Sequence, residues 1–315
     1  MRLKPLNDNR ILKKIICLLL SVLMAFSALG CGSEAEIEVE VAAQSTRSNE
    51  SVVLVPKAGG EILYGTKEFK IDATNASEGY VVVEYTGEND EVRLQISGDE
   101  NVTYTFIIPK GEIVLPLTAG SADYRFVGYE AITPGEYAMV FSDDADIVIT
   151  NEQGPYLYPN QYVDFDESSQ AVSLARTLAA DCTCDLEVIG SVYKYITENI
   201  EYDYDKAANV ESNYLPDIDE ILNTKKGICF DYAAVMAAML RSQRIPTRLE
   251  VGYAGEAYHA WISTYVSDVG WISGVIRFDG TDWTLMDPTF AANASENTLK
   301  DFIGNGDNYV TKYVY

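Results

Sequence analysis

The hydrophobic pattern of this chain changes its period near residue 151. Before that point, short β-branched or aromatic runs alternate with turn residues such as Pro109-Lys110-Gly111. Runs of this kind, bounded by turn signals at regular spacing, are typical of an all-β sandwich. We therefore expect a β-sandwich domain over residues 52–150, with strands at 69–73, 80–86, 92–97, 102–108, 112–117, 124–129, 136–141 and 146–150.

Residues 151–315 begin with apolar positions at helical spacing. This spacing predicts helices over 168–181 and 185–200, and a capping-box signature at 217–220 predicts a third helix. An Ala- and Met-rich segment predicts a further helix over 229–243. Helices that precede an antiparallel sheet indicate an α+β domain, with strands expected at 247–253, 258–266, 271–278 and 281–286 and a tight turn at Asp279-Gly280.

The N-terminus is typical of an export signal. A basic segment, residues 1–14, precedes the apolar run 15–29, which is shorter than the roughly 20 residues of a membrane-spanning helix. The following Gly30-Cys31 pair resembles the end of a bacterial lipoprotein signal, in which the cysteine is lipidated and becomes the mature N-terminus. We therefore expect residues 1–30 to be a signal peptide and Cys31 to carry a lipid.

The acidic segment 31–51 is expected to be a disordered tether between this lipid and the folded part of the protein. The protein is then exported and lies on the outer face of a bacterial cell membrane, which it contacts through its N-terminal lipid. An ordinary secreted protein, cleaved near Cys31, is the alternative.

The composition excludes two classes of function. The chain has 48 acidic against 23 basic residues and a formal net charge of −25, whereas a protein that binds polyphosphate needs dense Lys and Arg. We therefore expect no nucleic-acid partner. The chain also has a single histidine, His259, so a His-rich metal site is impossible. We expect no metal ion and no cofactor.

Three residues of the second domain have the chemistry of a thiol nucleophile and its base. Cys229 stands at the predicted start of a helix, where the helix dipole and unpaired N–H groups favour a thiolate. His259 lies at the start of a predicted strand, and Asp287 ends the neighbouring hairpin. A thiol nucleophile needs a base to take its proton, and the base needs an acceptor that holds its tautomer. The sequence therefore predicts a Cys229–His259–Asp287 triad.

The segments that carry these residues resemble the core of the transglutaminase-like superfamily, whose members share a papain-like fold. The resemblance covers residues 162–315. It rests on four motifs in the order of that family, which are Gly227-Ile-Cys-Phe-Asp-Tyr-Ala-Ala, Arg244-Ile-Pro-Thr-Arg, His259-Ala-Trp and Trp283-Thr-Leu-Met-Asp-Pro. It implies helices packed on an antiparallel sheet.

By this resemblance Cys229 is the nucleophile, His259 is the general base and then the general acid, and Asp287 is the orienting acid. The oxyanion hole would combine the Cys229 backbone N–H with one donor from upstream, for which Tyr202 and Asn199 are the candidates.

Five other residues of this domain have structural interpretations. Cys182 and Cys184 lie in the predicted turn between two helices, where they form a possible but strained disulfide or a redox-labile pair. Asp231 is interpreted as an acid of the first helical turn. Trp261 is expected to pack beside the triad, as is Trp283.

The triad and the resemblance together predict acyl transfer on amide bonds through a Cys229 thioester. If water resolves the thioester, the protein is a peptidase or amidase; if a lysine amine resolves it, the protein is a cross-linking acyltransferase. The expected substrates are envelope or surface peptides and proteins. The alternative is a non-catalytic surface binding or adhesion protein that uses the core as a scaffold. In a further alternative the β-sandwich is an adhesin or docks the substrate.

Overall fold

The structure is a computed structural model of the chain. It describes residues 47–98, 102–267, 270–273, 275–278, 283–286 and 309–315. None of the helices in this part of the chain combines the length and the apolar character that crossing a membrane requires.

The N-terminal region folds into two four-stranded antiparallel sheets. One sheet has the strand order β1-β2-β3-β6 and the other has the order β5-β4-β7-β8. In these strands apolar residues alternate with polar ones, so that one face of each sheet is buried. The strands are β1 (Leu63–Gly65), β2 (Phe69–Asp72), β3 (Tyr80–Tyr85), β4 (Val92–Ser97), β5 (Thr103–Ile107), β6 (Gly111–Pro116), β7 (Ala122–Thr133) and β8 (Glu136–Ile147).

Aromatic side chains join the two sheets. Phe69 of β2 meets Phe141 of β8 edge to face, with ring centroids 5.0 Å apart. Tyr64 of β1 lies 5.7 Å from Phe126 of β7, measured between the same points. The predicted all-β sandwich is therefore confirmed.

The longest hairpin differs from the prediction. β7 and β8 each run for 12 residues, whereas the sequence predicts three shorter strands in this stretch. The polar residues 142–146 predict an interruption between two strands. In the structure they pair with β7, and Arg125 Nε donates to Asp144 at 2.7 Å. A cross-strand partner therefore keeps this run extended.

The second region consists of helices followed by strands. Its helices in the described residues are α1 (Gln170–Ala179), α2 (Asp185–Asn199), α3 (Tyr204–Asn209), α4 (Ile218–Thr224) and α5 (Cys229–Ser242). Its strands are β9 (Glu201–Tyr202), β10 (Lys226–Gly227), β11 (Thr247–Ala254), β12 (Ala257–Val266), β13 (Gly270–Ser273), β14 (Val275–Phe278), β15 (Trp283–Met286) and β16 (Tyr309–Val314). The predicted α+β class is confirmed, and α3 and β16 are elements that the sequence analysis missed.

The main sheet of this region has the order β13-β12-β11-β16, with every pair antiparallel. β14 and β15 form the predicted hairpin, but its turn at Asp279-Gly280 lies outside the described residues. β16 was missed because its partner β11 is distant in sequence, so local pattern alone does not place it.

Helix α5 lies at the centre of this region. Twelve of its 14 residues are buried, and it packs against the other long helices and against β11 and β12. Small residues such as Ala233, Ala234 and Ala237 allow this close approach on every side. A helix buried all round has no polar face, which explains its Ala- and Met-rich sequence.

Arg241, in the last turn of α5, connects this helix to the segment between β8 and α1, to β11 and to the C-terminus. Its side chain is 1% exposed and is surrounded by backbone carbonyls. Nη1 donates to the Tyr158 carbonyl at 2.8 Å, Nη2 to the Tyr315 carbonyl at 2.9 Å, and Nε to the Thr247 carbonyl at 3.0 Å. One guanidinium therefore joins the linker, the first strand of the sheet and the C-terminus.

Two features connect the first part of the chain to the second region. Tyr104 of β5 stacks edge-on against Tyr313 and Tyr315, each at 5.6 Å. Residues 47–51, the end of the predicted tether, lie against the helices, with Asn49 Nδ2 donating to the Cys182 carbonyl at 2.9 Å and Ser51 Oγ to the Val172 carbonyl at 3.2 Å. The bounds of the signal peptide, tether and two domains stay predictions.

We expect Arg241→Met to lower the free energy of unfolding by about 3 kcal/mol or more, because three buried carbonyls lose their donor. Urea unfolding followed by circular dichroism measures the change. Arg176→Met on the exposed side of α1 is the matched control and should change it by less than about 0.5 kcal/mol. Equal effects of the two substitutions would show that the contacts of Arg241 with these carbonyls do not stabilise the fold.

Candidate active site

Cys229 is the first residue of α5. The preceding Ile228 is extended, with φ −98° and ψ 178°, so the chain enters the helix abruptly at the cysteine. Cys229 is half-buried, whereas nearly all of the helix behind it is fully buried. The structure thus places the predicted nucleophile at a helix N-terminus, where the helix dipole favours an anion.

Asp231 fixes the first turn of this helix. Its side chain is fully buried, and its Oδ2 accepts a hydrogen bond from the Ile228 backbone N–H at 2.8 Å. A Cβ on Gly227 would lie 2.7 Å from the Asp231 Cβ, so only glycine fits there. The interpretation of Asp231 as an acid of the first helical turn is confirmed.

Two side chains from the α3–α4 segment complete the environment of Asp231. The Lys206 Nζ donates to its Oδ2 at 2.7 Å, and the Tyr214 hydroxyl donates to its Oδ1 at 2.6 Å. Burial raises the pKa of Tyr214 above its ordinary value, and the hydrogen bond to Asp231 raises it further. The phenol therefore stays protonated and remains a donor. The sequence analysis missed both residues.

The residues before Cys229 are fixed from the other side by a short parallel pair. β9 pairs with β10, and the Asp203 N–H donates to the Gly227 carbonyl at 2.9 Å. Tyr202 lies opposite Gly227 in this pair, and its ring contacts that of Tyr204 at 4.9 Å. One of the two oxyanion candidates thus lies beside the segment that leads into Cys229, the predicted nucleophile.

Asn199, the other candidate, ends α2. Its Nδ2 donates to the Tyr195 carbonyl of the same helix at 2.9 Å. The oxyanion role stays a prediction for both Asn199 and Tyr202.

His259 lies on β12, the strand against which α5 packs. Its side chain is buried, and its ring centroid lies 6.4 Å from that of Trp261. Trp261 is buried as well and meets Tyr309 of β16 edge to face at 4.9 Å. The expected packing of Trp261 beside His259 is confirmed.

Tyr258 precedes His259 on β12. Burial raises its pKa first, and the neighbouring Tyr313, Tyr253 and Cys229 raise it further. Helix α5 packs against β12, and Cys229 lies against the same buried cluster as Ala260 of that strand. The structure thus brings the strand that carries His259 to the helix that carries Cys229.

Two predicted site residues lie outside the described residues: Asp287, which follows β15, and Cys31. The side chain of Trp283 on β15 is not described either. The orienting role of Asp287 and the lipidation of Cys31 stay predictions.

Cys182 and Cys184 lie in the turn between α1 and α2, as predicted. They and Cys229 are thiols in the structure. The Cys182 Sγ donates to the Leu178 carbonyl at 3.5 Å and lies 3.6 Å from the Ser191 Oγ. Whether this pair is oxidised in the exported protein stays a prediction. Within the described ranges, no three His, Cys, Asp or Glu side chains are grouped so as to hold a metal ion.

Comparisons with known proteins match this part of the chain. Residues 172–274 match the transglutaminase-like superfamily. The UPF0252 protein MJ1282 of Methanocaldococcus jannaschii is 29% identical over 123 residues, which cover 37% of this chain and 33% of that protein. YebA, an uncharacterized protein of Bacillus subtilis, is 21% identical over 185 residues, which cover 51% of this chain and 25% of YebA.

Among solved structures, the periplasmic domain of TgpA from Pseudomonas aeruginosa bound to ethylmercury aligns with a TM-score of 0.34 and 16% identity. The alignment covers 68% of this chain and 72% of that domain. The chain spans a third or less of the length of the two curated relatives.

A cysteine that begins a buried helix, beside the strand that carries the chain's one histidine, defines a thiol-bearing α+β core. The matched residues include both Cys229 and His259, and Asp287 follows them. Over residues 172–274 the chain matches the core of the transglutaminase-like superfamily.

We expect Asp231→Ala to lower the free energy of unfolding by about 2 to 4 kcal/mol, because the Ile228 N–H, the Lys206 ammonium and the Tyr214 hydroxyl lose their common acceptor. Urea unfolding is the measurement. Asp205→Ala on exposed α3 is the control, and its effect should stay within about 0.5 kcal/mol.

A double-mutant cycle tests whether these contacts act as one unit. Tyr214→Phe in the wild-type background should cost about 1 kcal/mol, and in the Asp231→Ala background much less. Strictly additive losses would contradict a shared network around Asp231.

Proposed function

We propose that this protein is an exported thiol enzyme that transfers acyl groups from amide bonds through a thioester on Cys229. The observation that carries the proposal is the position of Cys229, half-buried at the first residue of a buried helix beside the strand of His259. The family of the matched core supports it as well.

In the proposed reaction the Cys229 thiolate attacks the carbonyl carbon of the amide, while His259 holds the proton taken from the thiol. The carbon–nitrogen bond breaks, and His259 passes this proton to the leaving amine or ammonia. A second nucleophile then attacks the thioester and releases the thiol. Asp287 would hold the His259 ring in the productive tautomer.

The negative charge on the carbonyl oxygen needs donors. The Cys229 backbone N–H belongs to the first turn of α5, whose first N–H groups have no partner within the helix. Of the two predicted second donors we favour Tyr202, because it lies opposite Gly227, beside the segment that leads into Cys229, whereas the Asn199 amide donates back into its own helix.

The nature of the second nucleophile decides between two outcomes. Water makes the enzyme a peptidase or amidase, and a lysine amine makes it a cross-linking enzyme. We propose hydrolysis or transpeptidation of envelope peptides and surface proteins, since an N-terminal lipid on Cys31 would hold the enzyme at the outer face of the membrane. This assignment rests on the predicted export signal and on analogy with the family.

The alkylation rate of Cys229 against pH tests the proposal. The protein carries Cys182→Ser and Cys184→Ser, so that Cys229 is the only thiol among residues 47–315. An ion-paired thiolate should react with iodoacetamide well below the ordinary thiol pKa of about 8.5. We expect His259→Ala to lower the rate at pH 6.5 by about tenfold or more, and Asp287→Asn to lower it less.

The binding-protein alternative makes the opposite prediction. If Cys229 titrates as an ordinary thiol and His259→Ala leaves the whole profile unchanged, no ion pair exists and the enzyme proposal is wrong. A low-pH profile that depends on His259 would justify a screen of amide donors with water or lysine as the acceptor.

A further inference from the structure

A groove away from Cys229 is lined by residues from four parts of the chain. These residues lie within 53–58, 109–114, 159–168 and 215–216, together with Val82 of β3, and we call the cavity the linker groove. Its volume is about 790 Å³, which is within the range of about 300–1,000 Å³ that ligand sites occupy. Neither Cys229 nor any other residue of α5 lines it, so the linker groove is separate from the candidate active site.

Two neighbouring side chains of the linker groove each keep one unpartnered polar atom. Asn160 is 4% exposed and Gln161 is 6% exposed. The Asn160 Oδ1 accepts from the backbone N–H groups of residues 162 and 163, and the Gln161 Nε2 donates to the Ile107 carbonyl. In the described part of the chain, the Asn160 Nδ2 and the Gln161 Oε1 have no hydrogen-bond partner. Because buried polar groups in proteins are nearly always paired, these two atoms point to a ligand.

One free donor beside one free acceptor is the complement of a peptide group. The Asn160 Nδ2 can donate to a carbonyl, and the Gln161 Oε1 can accept from an N–H. Both atoms are themselves buried, so an incoming ligand must draw the side chains of the wall aside, an adjustment that is common at binding surfaces. The amide pair therefore favours a peptide over a ligand that offers only acceptors or only donors.

The charge of the linker groove has one sign. Glu112, Asp164, Asp166 and Glu167 line it, and none of its lining residues in the described part of the chain is basic. Burial raises the pKa of Asp164, and the neighbouring Asp166 and Asp217 raise it further. These carboxylates repel one another, and a bound cation would relieve the repulsion.

Most of the other lining residues are aliphatic side chains and prolines, among them Leu54, Ile113, Pro159 and Pro216. An apolar wall next to carboxylates suits a lysine or arginine side chain, whose stem can lie along the wall while its charged end stays among the acids. Amides, acids and apolar wall thus agree on one class of ligand.

We propose that the linker groove binds an extended peptide segment that carries basic side chains. One peptide group of this segment pairs with Asn160 and Gln161, and a basic side chain lies against the acids of residues 164–167. The acidic segment of this chain, residues 31–46, fits poorly because its charge has the same sign as the groove. This site goes beyond the proposed function and does not depend on the chemistry of Cys229.

The probe is a fluorescein-labelled peptide of alternating alanine and lysine, and its binding to the full chain is followed by fluorescence anisotropy. Matched peptides carry glutamine or glutamate in place of lysine. We expect saturable binding of the lysine peptide, binding of the glutamine peptide that is weaker by about fivefold or more, and no binding of the glutamate peptide.

Two exposed valines locate the binding site. Val55 lines the linker groove and is 60% exposed, whereas Val148 lies outside it and is 63% exposed. Val55→Arg and Val148→Arg add the same charge to the protein. We expect Val55→Arg to weaken binding of the lysine peptide by about tenfold and Val148→Arg to change it by less than about twofold.

Asn160→Asp tests the free donor. It keeps the Oδ1 that accepts from the backbone and replaces the unpartnered Nδ2 by an oxygen. The added negative charge by itself would strengthen binding of a lysine peptide. We nevertheless expect binding to weaken by about fivefold, because the peptide carbonyl loses its donor. Circular dichroism checks that each variant is folded, and Asp164→Asn, which should weaken binding by about threefold, is a second test if Asn160→Asp does not fold.

Three results would overturn the proposal. One is the absence of saturable binding of the lysine peptide. Equal weakening by Val55→Arg and Val148→Arg would show that the peptide is attracted only by the net charge of the protein. Stronger binding of the glutamate peptide would make an acidic segment the occupant. Since binding is measured without turnover, failure of the proposed thioester chemistry leaves each of these results interpretable.

Discussion

The burial of helix α5 is the constraint on which the rest of the structure depends. This helix carries an acid, Asp231, in its first turn and a base, Arg241, in its last, and both side chains are almost fully buried. The negative charge of Asp231 and the positive charge of Arg241 each complement the partial charge of the helix end at which they lie. Each is also satisfied by groups from elsewhere in the chain, because an unpaired buried charge is prohibitively costly. The two residues therefore determine which segments can surround the helix.

This arrangement explains how a buried helix can present a half-buried thiol. Asp231 accepts hydrogen bonds from the Ile228 N–H, from Lys206 and from Tyr214. The first turn of the helix is therefore fixed both by its own backbone and by side chains of the α3–α4 segment. Helix α3 itself has no buried residue, and Lys206 connects it to the core. The proposed nucleophile, Cys229, thus stands on a rigid element, as a site that depends on orientation requires.

Local signals predicted a large part of the fold. The Asp217 carboxylate caps α4 as its sequence signature indicates, and α5 ends within one residue of the predicted position. The elements that were missed depend on distant partners or carry little local signal. β16 is placed by pairing with β11, and the polar second half of β8 is kept extended by β7. For the site, chemistry singled out Cys229, His259 and Asp231, whereas Lys206 and Tyr214 are ordinary residues until the fold brings them to Asp231.

The sequence by itself determined the α+β class, the all-β region before it, and the identity of the one cysteine and one histidine that suit thiol chemistry. These properties follow from period, turn residues and composition, which are local or can be counted. Only the tertiary structure decided which tyrosines became core and which stayed exposed. Of 22 tyrosines, Tyr232 is fully buried and Tyr258 is 61% exposed, and no local pattern separates them. Burial is a property of what packs against a side chain, and for Tyr253, Tyr258 and Val310 the decisive neighbours lie on three strands that meet only in the folded sheet.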